Sequence, residues 1–449
     1  MITDLTQGSV LKRLLVFAYP LALSNLLQVV YSIVDMIVIG RFIGSTGLSG
    51  AAIGSDLLNF FMMLGAGFSN AGQVMISQYV GRGDRKGINS VIGTMFTFIL
   101  GVSLILTVIA LIFARDFLML VKAPAESFVQ AYNFAVTGFC GLFFIYGYNA
   151  VSSILRGMGD SKRPFIFIII STVTNAILAL TFVGVLRLNT FGAALATVIS
   201  QALSFTLSII YLYKKREAFG FDFKPKSFRI SRQQLGPMVG LGLPMALQNA
   251  AISLSFLFVN SCINSYGVIA SAVTGVGSKL SNVMGIIAQA AGMASSTMIG
   301  QNFGAAKFDR CKKIVHYTLF ICLAACAILI VLYNLLPREL FSLFSDDPEV
   351  LNYAPVYVLI MSAGFIAFAV MSPYISMING IGFASFCFLV AIFDGVISRV
   401  GLALLLGRVL DMGITGFWLG NSLAAFTTAI IAGIYFYTGA WKKRSLLVK

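Results

Sequence analysis

The sequence predicts an all-α membrane protein: twelve transmembrane helices in two six-helix bundles related by a pseudo-two-fold axis. Three observations predict it. The first is composition. The chain has 449 residues, 58% of them hydrophobic and only 10% charged, with a mean hydropathy of +0.92; a soluble globular chain carries about 25% charged residues. The second is a series of apolar runs, each long enough to cross a hydrocarbon core about 30 Å thick. The third is a half-chain repeat at an offset of 223–224 residues.

The runs fall at about 14–40, 48–72, 89–114, 128–153, 164–186, 190–213, 236–263, 268–298, 313–336, 351–378, 385–407 and 413–438. All are expected as helices, because lipid offers backbone groups no partner and the runs are too long and too little alternating for barrel strands. The first run is too long for a signal-peptide core and no small-residue cleavage site follows it, so it is expected to remain as the first span. With the N-terminus in the cytoplasm, the inside segments hold 23 Lys and Arg and the outside segments six. Basic loops stay inside, so both termini are expected in the cytoplasm of a multi-pass protein of the cell membrane. The net charge of +15 then reports topology and not nucleic acid. The longest hydrophilic break, Lys214 to Gln234, is basic and contains Pro225. It divides the chain into an N-terminal lobe (1–213), a cytoplasmic linker (214–235) and a C-terminal lobe (236–449).

The repeat is legible in short matches. PLALSN at 20–25 returns as PMALQN at 244–249; Ile76, Gln78 and Gly81 return as Ile299, Gln301 and Gly304; Gly157 and Gly159 return as Gly380 and Gly382. Each lobe begins and ends inside, so the repeats are parallel, with the axis along the membrane normal. The mismatches carry the chemistry. Val259 stands opposite Asp35, and Arg399 opposite Asn175.

Asp35 is the acid of the first span, and an acid there costs roughly 2.5–3.5 kcal/mol on insertion scales. Ser24, Gln28, Tyr31 and Asp35 recur at i, i+4, i+7 and i+11, which places them on one helical face. Such a stripe suits a helix lining a wet cavity. Thr197, Gln201, Ser204 and Ser208 repeat the same spacing on the sixth span, and Ser171 and Asn175 share a face of the fifth; polar stripes of this kind also serve as interhelical glue. A carboxylate among amide and hydroxyl oxygens suits a hard cation such as Na⁺ and can equally carry a proton. In the C-terminal lobe, Asn249 opens an uncharged polar face, and Lys279 and Asp394 are candidate substrate contacts. Asp394 and Arg399, five residues apart, are also candidates for mutual neutralisation. Asp56 is read as near enough to the outer end of the second span to be wetted. Pro20 removes a backbone hydrogen bond inside the first helix and gives it a place to bend.

The six cysteines form no CxxC and read as small buried hydrophobes. The single histidine, His316, reads as interfacial and structural. GRGDRK at 81–86 lacks the pattern of a phosphate loop and follows a membrane helix. No nucleophile–base pair or metal cluster is recognisable, so no enzyme and no cofactor is expected.

The twelve spans, the half-chain repeat, Pro20, VDMIVIGRFIG at 34–44, ISQYVGRGD at 76–84 and ILRGMGDSKRP at 154–164 together resemble the multidrug and toxic compound extrusion (MATE) transporters, in particular their DinF-like prokaryotic branch. The resemblance covers the whole chain and implies export of organic compounds in exchange for Na⁺ or H⁺. It implies that Asp35 binds the coupling cation, Na⁺ being the metal it would take. It further implies that Asn175 and Thr197 complete the cation site, and that Pro20 marks the bend. One departure stands out: where the family pattern NxxLD carries a second acid, this chain has Ala179.

The expected function is therefore a cation-coupled antiporter that exports organic, cationic drugs or metabolites. Its partners would be a small organic substrate and membrane lipid, without nucleic acid, and the chain is expected to act as a monomer. The alternative is a lipid-linked oligosaccharide flippase of the same superfamily; such proteins line their cavity with several basic residues, whereas Lys279 and Arg399 are the only two inside these spans away from their ends.

Overall fold

The computed structural model describes residues 3–447, and no strand occurs among them. Among the described residues eleven helices are long and apolar enough to cross a membrane, and a bent pair, taken as one span, makes a twelfth. They are α1 (Val10–Phe42), α2 (Ser45–Arg82), α3 (Arg85–Ile112), α4 (Phe128–Cys140 with Leu142–Gly157), α5 (Lys162–Val185), α6 (Asn189–Lys214), α7 (Arg232–Asn264), α8 (Val268–Gly304), α9 (Phe308–Leu335), α10 (Pro348–Ile381), α11 (Ser385–Val409) and α12 (Gly413–Thr438). The two halves of α4 meet at 49° around Gly141, where a side chain would run into Val198 of α6.

The glycine-rich motifs are helix ends. Gly83 closes α2 with φ 75°, and Asp84 then caps α3, its carboxylate accepting from the Gly87 N–H at 2.9 Å. Glycine carries positive φ without strain, and an acid suits a helix N-terminus. Gly159 and Asp160 repeat the device between α4 and α5, with φ 84° and a 3.1 Å bond from the Arg163 N–H.

The chain forms two compact units: residues 23–246 with the first residues of the chain, and residues 5–22 with 247–447. These units do not coincide with the sequence halves 1–213 and 236–449, because the first part of α1 packs in the second unit and the first part of α7 in the first. The reasons are local. Leu5, Leu14, Phe17 and Leu21 are buried in one cluster with Met298, Ile299 and Phe303. The Leu5 N–H donates to Gln301 Oε1 at 3.0 Å, and the Lys307 ammonium donates to the Thr6 carbonyl and hydroxyl, each at 3.0 Å. In the first unit, Gln234 and the Tyr79 hydroxyl bond each other in a buried pair, and Gly242 lies so close to Phe68 that a methyl group there would collide.

The stretch between α6 and α7 is polar in composition but anchored by aromatics. Phe219 and Phe221 are fully buried, and Phe221, Phe223 and Phe228 pack edge to face on one another. Around them, α2 packs along both halves of α4, and α5 along α6. In the second unit α10 is central, packed on α8, α9 and α12.

The repeat reaches into helix irregularities. Residues 180–185 of α5 form a widened turn, as do residues 405–409 of α11. A further widened turn, 393–400, has no counterpart in the first unit, and it carries Asp394 and Arg399.

Candidate functional site: an acidic cavity in the first unit

In the C-terminal half of α1, Gln28, Tyr31 and Asp35 border a cavity of about 550 Å³. Its other walls come from α2, α4, α5 and α6, all within the first unit. Asp35 is half-buried, which leaves part of its carboxylate facing the cavity. No Lys, Arg or His lines that cavity among the described residues.

Behind Asp35 sits Asn175, only 1% exposed. Its amide direction follows from the hydrogen-bond network. Turned so that both ends are satisfied, Nδ2 donates to Asp35 Oδ1 at 3.0 Å, and Oδ1 accepts from the Thr197 N–H at 3.2 Å and from the Tyr31 hydroxyl at 3.0 Å. The Tyr31 hydroxyl has one proton and two acceptors, because Thr197 Oγ1 lies 2.8 Å away. Thr197 Oγ1 in turn donates to the Ala193 carbonyl at 3.2 Å. Asp35, Asn175, Thr197 and Tyr31 thus form one connected set of oxygen and amide groups.

The polar stripe of α6 divides. Thr197 and Gln201 line the cavity. Ser204 instead donates to the Phe167 carbonyl of α5 at 3.0 Å, and Ser208 to its own helix at 2.7 Å. Those two are glue. Ala179 is fully buried in an apolar cluster with Val38, Ile39, Phe134 and Val183, so hydrocarbon fills the position of the acid it replaces.

The C-terminal candidates lie in the other unit and do not line this cavity. Asn249 is half-buried on α7. Lys279 is exposed, its ammonium 5.4 Å from the Phe344 ring centroid. Asp394, read from sequence as a substrate contact, is enclosed instead: it is 3% exposed and pairs with Arg399, itself 5% exposed, at 3.4 Å. In a regular helix, residues five apart point roughly 140° away from each other; the widened turn, with i→i+5 hydrogen bonding, brings them to one side. Arg399 also donates to Asn421 Oδ1 at 2.7 Å and lies 4.0 Å from the Phe256 ring centroid. Val259, opposite Asp35 in the repeat, is 1% exposed in the apolar core.

Sequence reasoning missed the wall contributed by α2. Asp56 and Asn59 line the same cavity as Asp35. The signal was available in the spacing: Asn59 follows Ser55 by four residues and Asp56 by three, which puts all three toward one face of α2.

Two repeats of membrane helices, with an acidic cavity inside one of them, are the architecture of a membrane transporter of small solutes. The MatE family model matches the chain twice, over residues 20–181 and 244–405, and the chain belongs to that family. The two matches are offset by the repeat length and begin at Pro20 and Pro244. Among curated relatives, the chain is 30% identical to the probable multidrug resistance protein YoeA of Bacillus subtilis, over 98% of this chain and 96% of the other. It is 29% identical to the probable multidrug resistance protein YpnP of the same organism, over 99% of each. Its fold matches a solved multidrug resistance MATE family transporter of the MOP superfamily in an outward-facing conformation, with a TM-score of 0.89, 21% identity and 99% of each chain covered. The chain is accordingly a multi-pass transporter of the multidrug efflux family and not an enzyme.

Proposed function

We propose that the chain is an antiporter that exports organic cations across the cytoplasmic membrane, driven by inward flow of Na⁺ or H⁺ at Asp35. The single observation that carries this reading is the carboxylate of Asp35: it faces a cavity of about 550 Å³, touches Asn175 and has no basic neighbour among the described residues of the cavity wall. A membrane-embedded acid held in that state marks an ion pathway. Asn175, Thr197 and Tyr31 supply the neutral oxygens that would share a hard cation with it. Two ligands that favour different conformations lower each other's affinity, and that coupling is reciprocal. Pro20, inside α1 upstream of Asp35, supplies the point at which the helix can change course. No cofactor is needed beyond the coupling ion, and the chain works as a monomer with lipid around it.

The excess of Lys and Arg in alternate loops supports cytoplasmic termini. A flippase for pyrophosphate-linked sugars is disfavoured, because an acidic cavity repels that headgroup. The test is cellular. Expression in an efflux-deficient bacterium is expected to confer resistance to cationic dyes, and Asp35→Asn to remove it at equal membrane abundance. Full resistance with Asp35→Asn would refute the reading.

A further inference from the structure

The cavity holds a second carboxylate that the coupling reading leaves unused. Asp35 is seven residues from the end of α1 at Phe42, ~10 Å along the helix, and Asp56 is eleven from the start of α2 at Ser45, ~16 Å. The two acids differ in company. Asp35 has the Asn175 amide. Asp56 is exposed to the cavity and has no hydrogen-bond or ion-pair partner among the described residues. A carboxylate left without a partner in a cavity between membrane helices suits a counter-charge brought by a ligand. A second unsatisfied group borders the same space. The Ser171 hydroxyl, in a residue only 5% exposed, has no partner and lies in the cavity wall, where buried hydroxyls are normally bonded.

The remaining walls say what would complete the site. Tyr31, Phe134 and Tyr148 present aromatic surface, and Met36 and Met62 present adaptable thioethers. Aromatic faces attract cations, and methionine surfaces adjust to differently shaped apolar bodies. The volume, about 550 Å³, falls within the range of drug-sized pockets.

We infer that Asp56 recognises the charge of the exported compound, an ammonium or phosphonium carried on an aromatic or apolar body, in the cavity where Asp35 takes the coupling ion. This rests on the antiport reading for the role of Asp35. One cavity then holds two carboxylates with divided tasks. Asp56 supplies the second negative charge that Ala179 does not, from a different helix. A cation at either acid weakens the field felt at the other, so substrate and coupling ion oppose each other even without direct contact.

The experiment is equilibrium binding to the purified full-length chain, with tetraphenylphosphonium as the cationic probe and triphenylphosphine oxide as its uncharged counterpart. Asp56→Asn is expected to weaken tetraphenylphosphonium about tenfold or more, the loss of one charge–charge contact, and to leave triphenylphosphine oxide unchanged. Asp56→Glu is expected to restore the cation. Ala52→Lys, one turn earlier on the same cavity-lining face of α2, is expected to reproduce the loss with Asp56 in place, which keeps the test decisive if Asp56→Asn does not fold. Wild-type affinity for tetraphenylphosphonium in Asp56→Asn or Ala52→Lys, or equal loss of both probes, would overturn the inference. Failure of the antiport reading looks different: Asp35→Asn would then keep its coupling-ion response while Asp56→Asn still lost the cationic probe.

Discussion

Replacing Asp35 by Asn removes one charge and almost nothing else. The side chain keeps its size, and its amide oxygen can still accept from Asn175 Nδ2, now 3.0 Å from Asp35 Oδ1. Folding should therefore be little changed. Cation binding should not. A unit charge about 4 Å from the carboxylate, at the effective dielectric of ~20 typical near a protein surface, is held by about 4 kcal/mol, which corresponds to roughly a thousandfold in affinity. Asp35 is only half-buried, and water in the cavity screens the interaction, so the expected loss is at least about tenfold. The assay is the thermal midpoint of the purified protein against Na⁺ concentration, and separately against pH. A ligand that binds only the folded state stabilises it by about 2.7 kcal/mol at a hundred times its dissociation constant. Wild type is expected to shift with one of the two titrations, and Asp35→Asn to lose that shift while keeping its ligand-free midpoint. An unchanged dose response in the variant would refute the reasoning.

Other expectations follow from contacts away from the cation site. Arg399→Met strands the Asp394 carboxylate in a site where it is 3% exposed, which should cost about 3–5 kcal/mol of stability; the double variant with Asp394→Asn should recover most of it, read as a non-additive cycle of thermal midpoints. Gly93→Ala would drive a methyl group into the Ser227 carbonyl, so the 221–228 segment should come away from α3 and be cut faster by limited proteolysis, with the midpoint lowered. Ser204→Ala loses one interhelical hydrogen bond to Phe167, worth about 0.6 kcal/mol, and dye efflux should stay at the wild-type level.

Much of this was legible in the residues, and what was not has physical causes. Periodicity on α1 found the face that carries Gln28, Tyr31 and Asp35, because polar residues at helical spacing in an apolar span share one side of the helix. The repeat offset found the positions that differ between lobes, and Val259 and Arg399 are indeed apolar core and ion pair. Spacing could not show that Asn175 meets Asp35, since contacts between helices depend on packing; only the family resemblance pointed there. The stripe on α6 looked uniform, yet half of it bonds neighbouring backbone. The reach of α1 into the second unit was hidden because Leu5, Leu14 and Phe17 read equally well as lipid-facing. Asp56 reads in the sequence as wetted from the outer end of its span; the open space it reaches is the cavity that it shares with Asp35, which spacing along one helix could not show.

The most direct test of the central claim is substrate flux in proteoliposomes under a Na⁺ gradient alone and a pH gradient alone. Wild type is expected to move a cationic dye uphill under at least one of them, and Asp35→Asn under neither. Uphill transport by Asp35→Asn, at the wild-type rate and with the wild-type ion dependence, would contradict the account.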